Sequence, residues 1–99
     1  MFVHAVYFWL KDDLAPHQTA AFLAGARSLT TIASVKQAHL GIPAPTDRPV
    51  IDRSYSHALV VIFENQDDHD RYQTDPIHDR FRDECGTFWR KVLIYDSIT

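Results

Sequence analysis

The spacing of apolar residues divides the first two thirds of the chain into three strands and one helix. Phe2 to Leu10 is rich in aromatic and β-branched residues and predicts strand one. From Pro16 to Ala33 the apolar positions recur every three or four residues, which predicts an amphipathic helix. Val35 to Ile42 predicts strand two, and Ser54 to Phe63 predicts strand three. A loop of about ten residues, rich in Pro, separates them.

The last third predicts two helices and a final strand. Asn65 or Asp67 is a suitable N-cap for a short helix that ends at Thr74. Asp75-Pro76 then predicts a break and a new start, because Asp is favoured at the N-cap and Pro at the first helical position. Arg90 to Ile98 predicts strand four. The buried side of the last helix is predicted to comprise Ile77, Phe81, Cys85, Phe88 and Trp89.

This order of elements predicts an α+β fold. Short right-handed connections place β-α-β-β-α-β elements in a four-stranded antiparallel sheet with the helices on one face. This is the ferredoxin-like arrangement. A chain of 99 residues fits one such domain, predicted to span residues 1–99.

Both faces of the predicted sheet are apolar, whereas a sheet with one face in water alternates apolar and polar residues. The helices cover only one face, and an uncovered apolar face would exceed what soluble monomers expose. The sequence therefore predicts a homodimer in which this face meets a second copy. The alternative is that the carboxy-terminal segment or the Pro-rich loop folds over it. The predicted interface residues are Val3, Ala5, Tyr7, Trp9, Ala58, Val60, Ile62, Leu93 and Tyr95.

Composition narrows the partners and the compartment. The formal net charge is -3 without a basic run, so neither nucleic acid nor an anionic membrane is indicated. The opening apolar run is too short to span a bilayer and lacks the flanks of a signal peptide. The chain has 1 cysteine, so it forms no internal disulfide, and this favours a reducing compartment. We expect a cytoplasmic protein.

The chain resembles the stress-responsive dimeric α/β-barrel (Dabb) family over nearly its whole length. The block from Tyr72 to His78 is the most specific part of the resemblance. The segments that carry the resemblance are His4-Ala5-Val6, Tyr55, Tyr72-Gln73-Thr74-Asp75-Pro76-Ile77-His78, Phe81, Phe88-Trp89 and Ile94-Tyr95-Asp96.

The resemblance implies a dimer with a barrel-like interface and a pocket between each sheet and its helices. Most members have no established reaction. A distant relative, the plant cyclase that makes olivetolic acid, closes a ring by aldol chemistry without a cofactor. Its tyrosine and histidine acid/base pair matches Tyr72 and His78, and two further pocket histidines match His4 and His57.

The chain departs from this pattern at three positions. Asp75 stands where histidine is common, Arg82 where the cyclase has glycine, and Ala26 where it has a bulky tyrosine. The pocket must therefore differ in shape and charge, and the cyclase substrate does not carry over.

The candidate catalytic residues are Tyr72 and His78. His78 is the third residue of its predicted helix, where the helix dipole disfavours imidazolium and so favours a neutral base. Asp75 has the opposite effect on its pKa, and the sequence does not decide between them. A chain reversal at Asp75-Pro76 would bring phenol and imidazole together. Alternatively, both are ordinary core side chains.

The candidate ligand-binding residues combine polar points with an apolar wall. His4 and His57 share the inward parity of their strands but are predicted to lie roughly 10 Å apart, too far to bind one metal. Each histidine could orient a ligand, or it could be a core residue whose ring nitrogens are hydrogen-bonded to a neighbour. The apolar wall is predicted from Val6, Phe8, Phe22, Leu59, Phe81 and Trp89.

No metal site and no cofactor are predicted. The 6 histidines include no recognised metal motif. His69 lies among Asp67, Asp68 and Asp70 and is interpreted as surface charge on a solvated helix face. Cys85 is interpreted as a small apolar core residue rather than a nucleophile.

Three hypotheses of function follow. The first is a homodimer that binds a small, mostly apolar, carbonyl-bearing ligand, with cofactor-free cyclase-like (lyase) or isomerase-like chemistry at Tyr72 and His78. The second is a non-enzymatic stress or stability protein whose pocket is filled by its own side chains. The third is a cofactor-independent or haem-linked oxygenase, by analogy within the superfamily alone. The sequence does not decide whether the protein is an enzyme.

Overall fold

The computed structural model describes residues 1–99 and contains four strands and three helices. Their bounds are β1 (Phe2–Leu10), α1 (Pro16–Leu29), β2 (Gln37–Gly41), β3 (His57–Phe63), α2 (Gln66–Thr74), α3 (Pro76–Cys85) and β4 (Trp89–Ile98). The strands form one antiparallel sheet in the order β2-β3-β1-β4. The predicted α+β, ferredoxin-like fold is confirmed. None of the helices has the length and apolar character needed to cross a membrane.

α1 ends at Leu29, four residues before the predicted end at Ala33. The hydroxyls of Thr30 and Thr31 each donate to a backbone carbonyl three residues earlier, at 2.7 Å, and the chain turns there. Ile32, 4% exposed, then fills the core position predicted for Ala33, which is exposed.

The second and third strands are shorter than predicted. Strand two was predicted over Val35–Ile42 and is trimmed at both ends. Strand three was predicted from Ser54 and begins at His57. Strand three starts late because the hydroxyl of Ser56 accepts the hydrogen bond from the backbone N–H of Leu10 at 2.9 Å. A side chain therefore takes the place of the backbone carbonyl that would continue the sheet.

The joint between α2 and α3 has the predicted form. Asp75 is both the C-cap of α2 and the N-cap of α3. Its carboxylate accepts from the N–H of Ile77 at 2.8 Å, and Pro76 occupies the first position of α3. The α2 helix begins at its predicted cap, Asn65, whose side chain accepts from the N–H of Asp68 at 2.9 Å.

The end of α3 corrects another prediction. The helix stops at Cys85, so Phe88 and Trp89 do not belong to its buried side as predicted. Trp89 instead opens β4 and pairs with Leu10. Both aromatics still pack against the core, now from the strand and its approach.

The core lies between the sheet and the helices. Inward-facing side chains of β1 and β3 meet α1, α2 and α3. The largest fully buried side chains of this core are Tyr72, Phe22, Phe63, Leu29, Leu59, Val61 and Cys85. Gly25 allows α1 and α3 to approach closely. A Cβ at Gly25 would lie 2.9 Å from both Cys85 Sγ and Phe81 Cδ1.

The outer face of the sheet keeps much of its apolar surface accessible. Leu93 is 38% and Tyr95 62% exposed. Part of the Pro-rich loop does cover this face: Tyr55 packs on Tyr7 at 5.1 Å between ring centroids. The Trp9 indole N–H donates to the hydroxyl of Ser54, also in this loop, at 3.1 Å. The loop thus covers one end of the face, and the β4 side stays open.

Candidate functional site

A cavity of about 220 Å³ lies between the sheet and the helices α2 and α3. Of the ten predicted site residues, the cavity wall includes eight, namely His4, Val6, Phe8, Leu59, Tyr72, His78, Phe81 and Trp89. Five further residues complete it: Leu29, Gln73, Arg82, Val92 and Ile94. The wall is therefore mainly apolar, with a few polar groups that converge from the helix side.

Tyr72 and His78 are brought together by the joint at Asp75. Tyr72, 1% exposed, lies in the last turn of α2, and His78, 8% exposed, lies in the first turn of α3. Their ring centroids are 4.9 Å apart and the rings are nearly perpendicular, at 76°. The sequence predicted that a chain reversal would produce this meeting of phenol and imidazole.

Burial decides the protonation state of His78, which the sequence left open. The pKa of His78 is lowered to about 4, first by burial and then by the nearby charges of Arg82 and His4. Asp79 and Asp75 raise the pKa, but by less. The imidazole is thus neutral near pH 7, as a general base must be. Its Nδ1 atom is buried and has no hydrogen-bond partner within the chain.

Tyr72 has the complementary property. Burial raises the pKa of the Tyr72 phenol well above its ordinary value, and the cationic Arg82 only partly opposes this. The phenol therefore keeps its proton at neutral pH and can donate a hydrogen bond. Arg82 donates to the Gln73 side-chain oxygen at 3.1 Å, which holds its charge beside the cavity.

His4 lies on the opposite wall of the cavity, on the sheet. Its side chain is 3% exposed, and its Nδ1 lies 2.6 Å from Oδ1 of Asp96. Burial lowers the pKa of His4, while the Asp96 carboxylate opposes this. Sequence reasoning missed Asp96 as a partner. The alternation of side chains along β4 could have identified Asp96, since it lies on the same face of the strand as Ile94. It also pairs directly with His4.

Two predicted site residues lie outside the cavity lining. His57 pairs with Phe8, whereas His4 pairs with Val61, so the two histidines are four positions apart along the sheet. His57 packs on Phe22 at 5.3 Å between ring centroids. Burial lowers the pKa of His57, and its buried Nδ1 has no hydrogen-bond partner within the chain. The structure does not bring His57 and Phe22 to Tyr72.

His69 corrects a sequence interpretation. It was assigned to a solvated acidic surface, but its side chain is only 12% exposed. The ring stacks on Phe2 at 4.3 Å and lies 5.0 Å from His4, centroid to centroid. The reason is helical spacing: His69 is three residues before the buried Tyr72, so both project from the face of α2 that meets the sheet.

Comparisons with known proteins give a family and a fold. The family model described as Stress Responsive A/B Barrel Domain (Dabb) matches residues 2–99. A Dabb family protein of Mesorhizobium loti with a ferredoxin-like fold is 27% identical, with TM-score 0.79; the match covers 99% of this chain and 95% of that one. Comparison with curated proteins gives no match.

Two further solved structures share the fold. A dimeric ferredoxin-like protein of unknown function from Thermobifida fusca is 18% identical, with TM-score 0.78, and the match covers 99% of this chain and 90% of that one. A hydroxynitrile lyase from Passiflora edulis is 23% identical, with TM-score 0.79, and the match covers 99% of this chain and 92% of that one. At these identities the likeness extends to the fold alone.

Proposed function

The chain belongs to the stress responsive A/B barrel (Dabb) family, and on that basis we propose that it is a homodimer whose cavity binds a small, mostly apolar carbonyl compound. The acid/base pair Tyr72 and His78 would act on that carbonyl without a cofactor. The reaction would be a ring closure, an isomerisation or a decarboxylation. The single observation that carries the proposal is the Tyr72 phenol and the His78 imidazole side by side in a mainly apolar cavity. Burial favours the protonated phenol and the neutral imidazole.

The dimer is supported by the accessible apolar surface on the outer face of the sheet. A shallow depression of about 480 Å³ there is lined by Asp52 and by Tyr7, Trp9, Tyr55, Leu93 and Tyr95, of which Trp9 is already buried within one chain. A second copy placed on this face would remove that surface from water, at roughly 25 cal/mol per Å² before association costs. Solved structures with this fold that are described as dimeric are consistent with this assembly.

The proposed chemistry divides the two roles by protonation state. The phenol of Tyr72 donates to the carbonyl oxygen and stabilises the negative charge that develops there. The neutral imidazole of His78 takes a proton from the carbon next to the carbonyl and returns it later in the reaction. Arg82, beside both groups, adds a positive charge that favours an enolate or a carboxylate-bearing ligand.

The cavity volume favours a small ligand. At about 220 Å³ it lies below the range of about 300–1,000 Å³ that is usual for ligand sites. This same observation supports the second candidate, a non-enzymatic stress or stability protein whose cavity is largely filled by its own side chains. A porphyrin does not fit this cavity, so the volume gives the haem-linked alternative no support.

The test is proton exchange next to a carbonyl. The purified protein is incubated in D₂O with a panel of small cyclic and aryl ketones, and exchange of the α-protons is followed by ¹H NMR. We expect accelerated exchange for at least one ketone, and a loss of about a hundredfold in Tyr72→Phe and His78→Gln. His17→Gln, on the exposed surface of α1, is the matched control.

Two outcomes contradict the proposal. If no ketone in the panel exchanges faster than in buffer or shifts any resonance of the cavity residues, the filled-cavity candidate is favoured. If a ketone exchanges equally fast with the wild type and with both variants, Tyr72 and His78 are not the acid/base pair.

A further inference from the structure

Three potential metal ligands from three elements meet beside the cavity. His4 of β1, His69 of α2 and Asp96 of β4 each offer a ligand atom, and these atoms lie within 4.8 Å of one another. Only His4 belongs to the proposed acid/base cavity. From this convergence we propose that His4, His69 and Asp96 form a binding site for a divalent transition-metal ion of the Zn²⁺ type.

The donor set matches this class of ion. Two imidazoles and one carboxylate, with a water in the remaining position, is a common arrangement for zinc. Imidazole ligands also suit Fe²⁺, Ni²⁺ and Cu²⁺, whereas Mg²⁺ and Ca²⁺ prefer oxygen ligands throughout. The site therefore selects for borderline metals over the hard cations.

The ligand atoms, which are spread over up to 4.8 Å, must rearrange to hold a metal. With metal–ligand bonds of about 2.0–2.2 Å, the ligand atoms of a tetrahedral site lie roughly 3.3–3.6 Å apart. His4 Nδ1 and Asp96 Oδ1 are already 2.6 Å apart, so a metal at these atoms would replace the proton they share and widen the gap. The Asp96 side chain is 40% exposed and can make this movement. It also provides the route from solvent.

The two imidazole rings are held in position by their surroundings. His69 stacks on Phe2 and makes an edge contact with Phe63, with centroids 5.6 Å apart. Its Nδ1 lies 3.0 Å from Asp70 Oδ1 and its Nε2 lies 3.2 Å from the Gln73 amide nitrogen. Binding through Nε2 would displace the Gln73 amide and leave Nδ1–H donating to the Asp70 carboxylate. A carboxylate commonly fixes a metal-bound histidine in this way.

The experiment measures metal binding directly and needs no substrate. Chelator-treated, dialysed protein is titrated with Co²⁺ while its visible d–d absorption is recorded, and Zn²⁺ is then added in competition. Metal content after gel filtration gives the stoichiometry. We expect a single ion per chain, with an affinity that falls at least about tenfold in Asp96→Asn and in His69→Phe.

Each variant has a specific purpose. His69→Phe removes the imidazole but keeps an aromatic ring against Phe2, and Asp96→Asn keeps the side-chain shape on an exposed strand. His17→Gln removes an exposed histidine elsewhere and should bind as the wild type does. If His69→Phe does not fold, as judged by circular dichroism, Asp96→Asn decides alone.

The proposal is overturned if the wild type retains no stoichiometric Co²⁺ or Zn²⁺, or if Asp96→Asn binds as tightly as the wild type. Because the readout is metal content, it is independent of ketone exchange at Tyr72 and His78. A failure of that exchange leaves this site intact, and the converse also holds.

Discussion

Folding stability should fall as the pH falls from 7 to 5, and His78 should account for a measurable share of the loss. The pKa of His78 drops from 6.5 to about 4 on folding, mainly because the ring is buried. Between these two values the unfolded chain binds more protons than the folded one, so stability is present above 6.5 and is lost as acid is added. For this shift, the loss between pH 7 and pH 5 is about 2 kcal/mol, with a limit of about 3 kcal/mol at lower pH.

The assay compares the wild type with His78→Gln, which fills similar space but does not titrate. Urea unfolding is followed by far-ultraviolet circular dichroism at both pH values and at one protein concentration, because association adds to stability. We expect the wild type to lose about 2 kcal/mol more than the variant. His4 and His57, whose pKa values are also lowered by burial, are present in both proteins and cancel to first order. Equal losses in the two proteins would refute the claim that His78 is held neutral.

Two further predictions concern packing and assembly. Gly25→Ala should destabilise the fold by up to about 2 kcal/mol, because its Cβ would lie 2.9 Å from the ring of Phe81 and the overpacking cost of about 1–3 kcal/mol is only partly offset by the roughly 1 kcal/mol that Ala gains over Gly inside a helix. A variant that is more stable than the wild type in urea would contradict this contact. Tyr95→Asp should convert a wild-type dimer into a folded monomer in sedimentation experiments at micromolar concentration, because it places a charge on the exposed apolar face. A wild type that sediments as a monomer would refute the assembly itself.

The sequence predicted the strand and helix order because its apolar pattern is strong where the core is continuous. The bounds of β1 were predicted correctly, since Phe2 to Leu10 is apolar on both faces and ends in charge. The break at Asp75-Pro76 was predicted correctly as well, because capping depends on a few neighbouring residues.

The errors arose where distant contacts outweigh local pattern. The threonines after Leu29 end α1 through hydroxyl bonds that hydrophobic spacing does not reveal. Trp89 was assigned to a helix because its spacing from Phe81 allows it, but pairing with Leu10 places it in β4. These are the boundaries that periodicity fixes least well.

The same reasoning explains what was missed at the site. His69 looked solvated because its sequence neighbours are acidic, and only the packing of α2 on β1 shows that the ring is covered. Asp96 was recognisable in principle from strand parity. Val92 and Ile94 line the cavity from the edge strand β4 and are 37% and 52% exposed. Because they are only partly buried, their apolar character did not identify them as cavity residues.

The shared cap at Asp75 makes the spacing between Tyr72 and His78 a property of chain length. One residue ends α2 through its backbone N–H and starts α3 through its carboxylate, so no spare residue separates the two helices. An insertion there would place the C-cap of α2 and the N-cap of α3 on different residues. The angle between the two helices would then no longer be fixed, even though Tyr72 and His78 were both retained. We therefore expect this six-residue step to tolerate substitution far better than it tolerates a change in the number of residues.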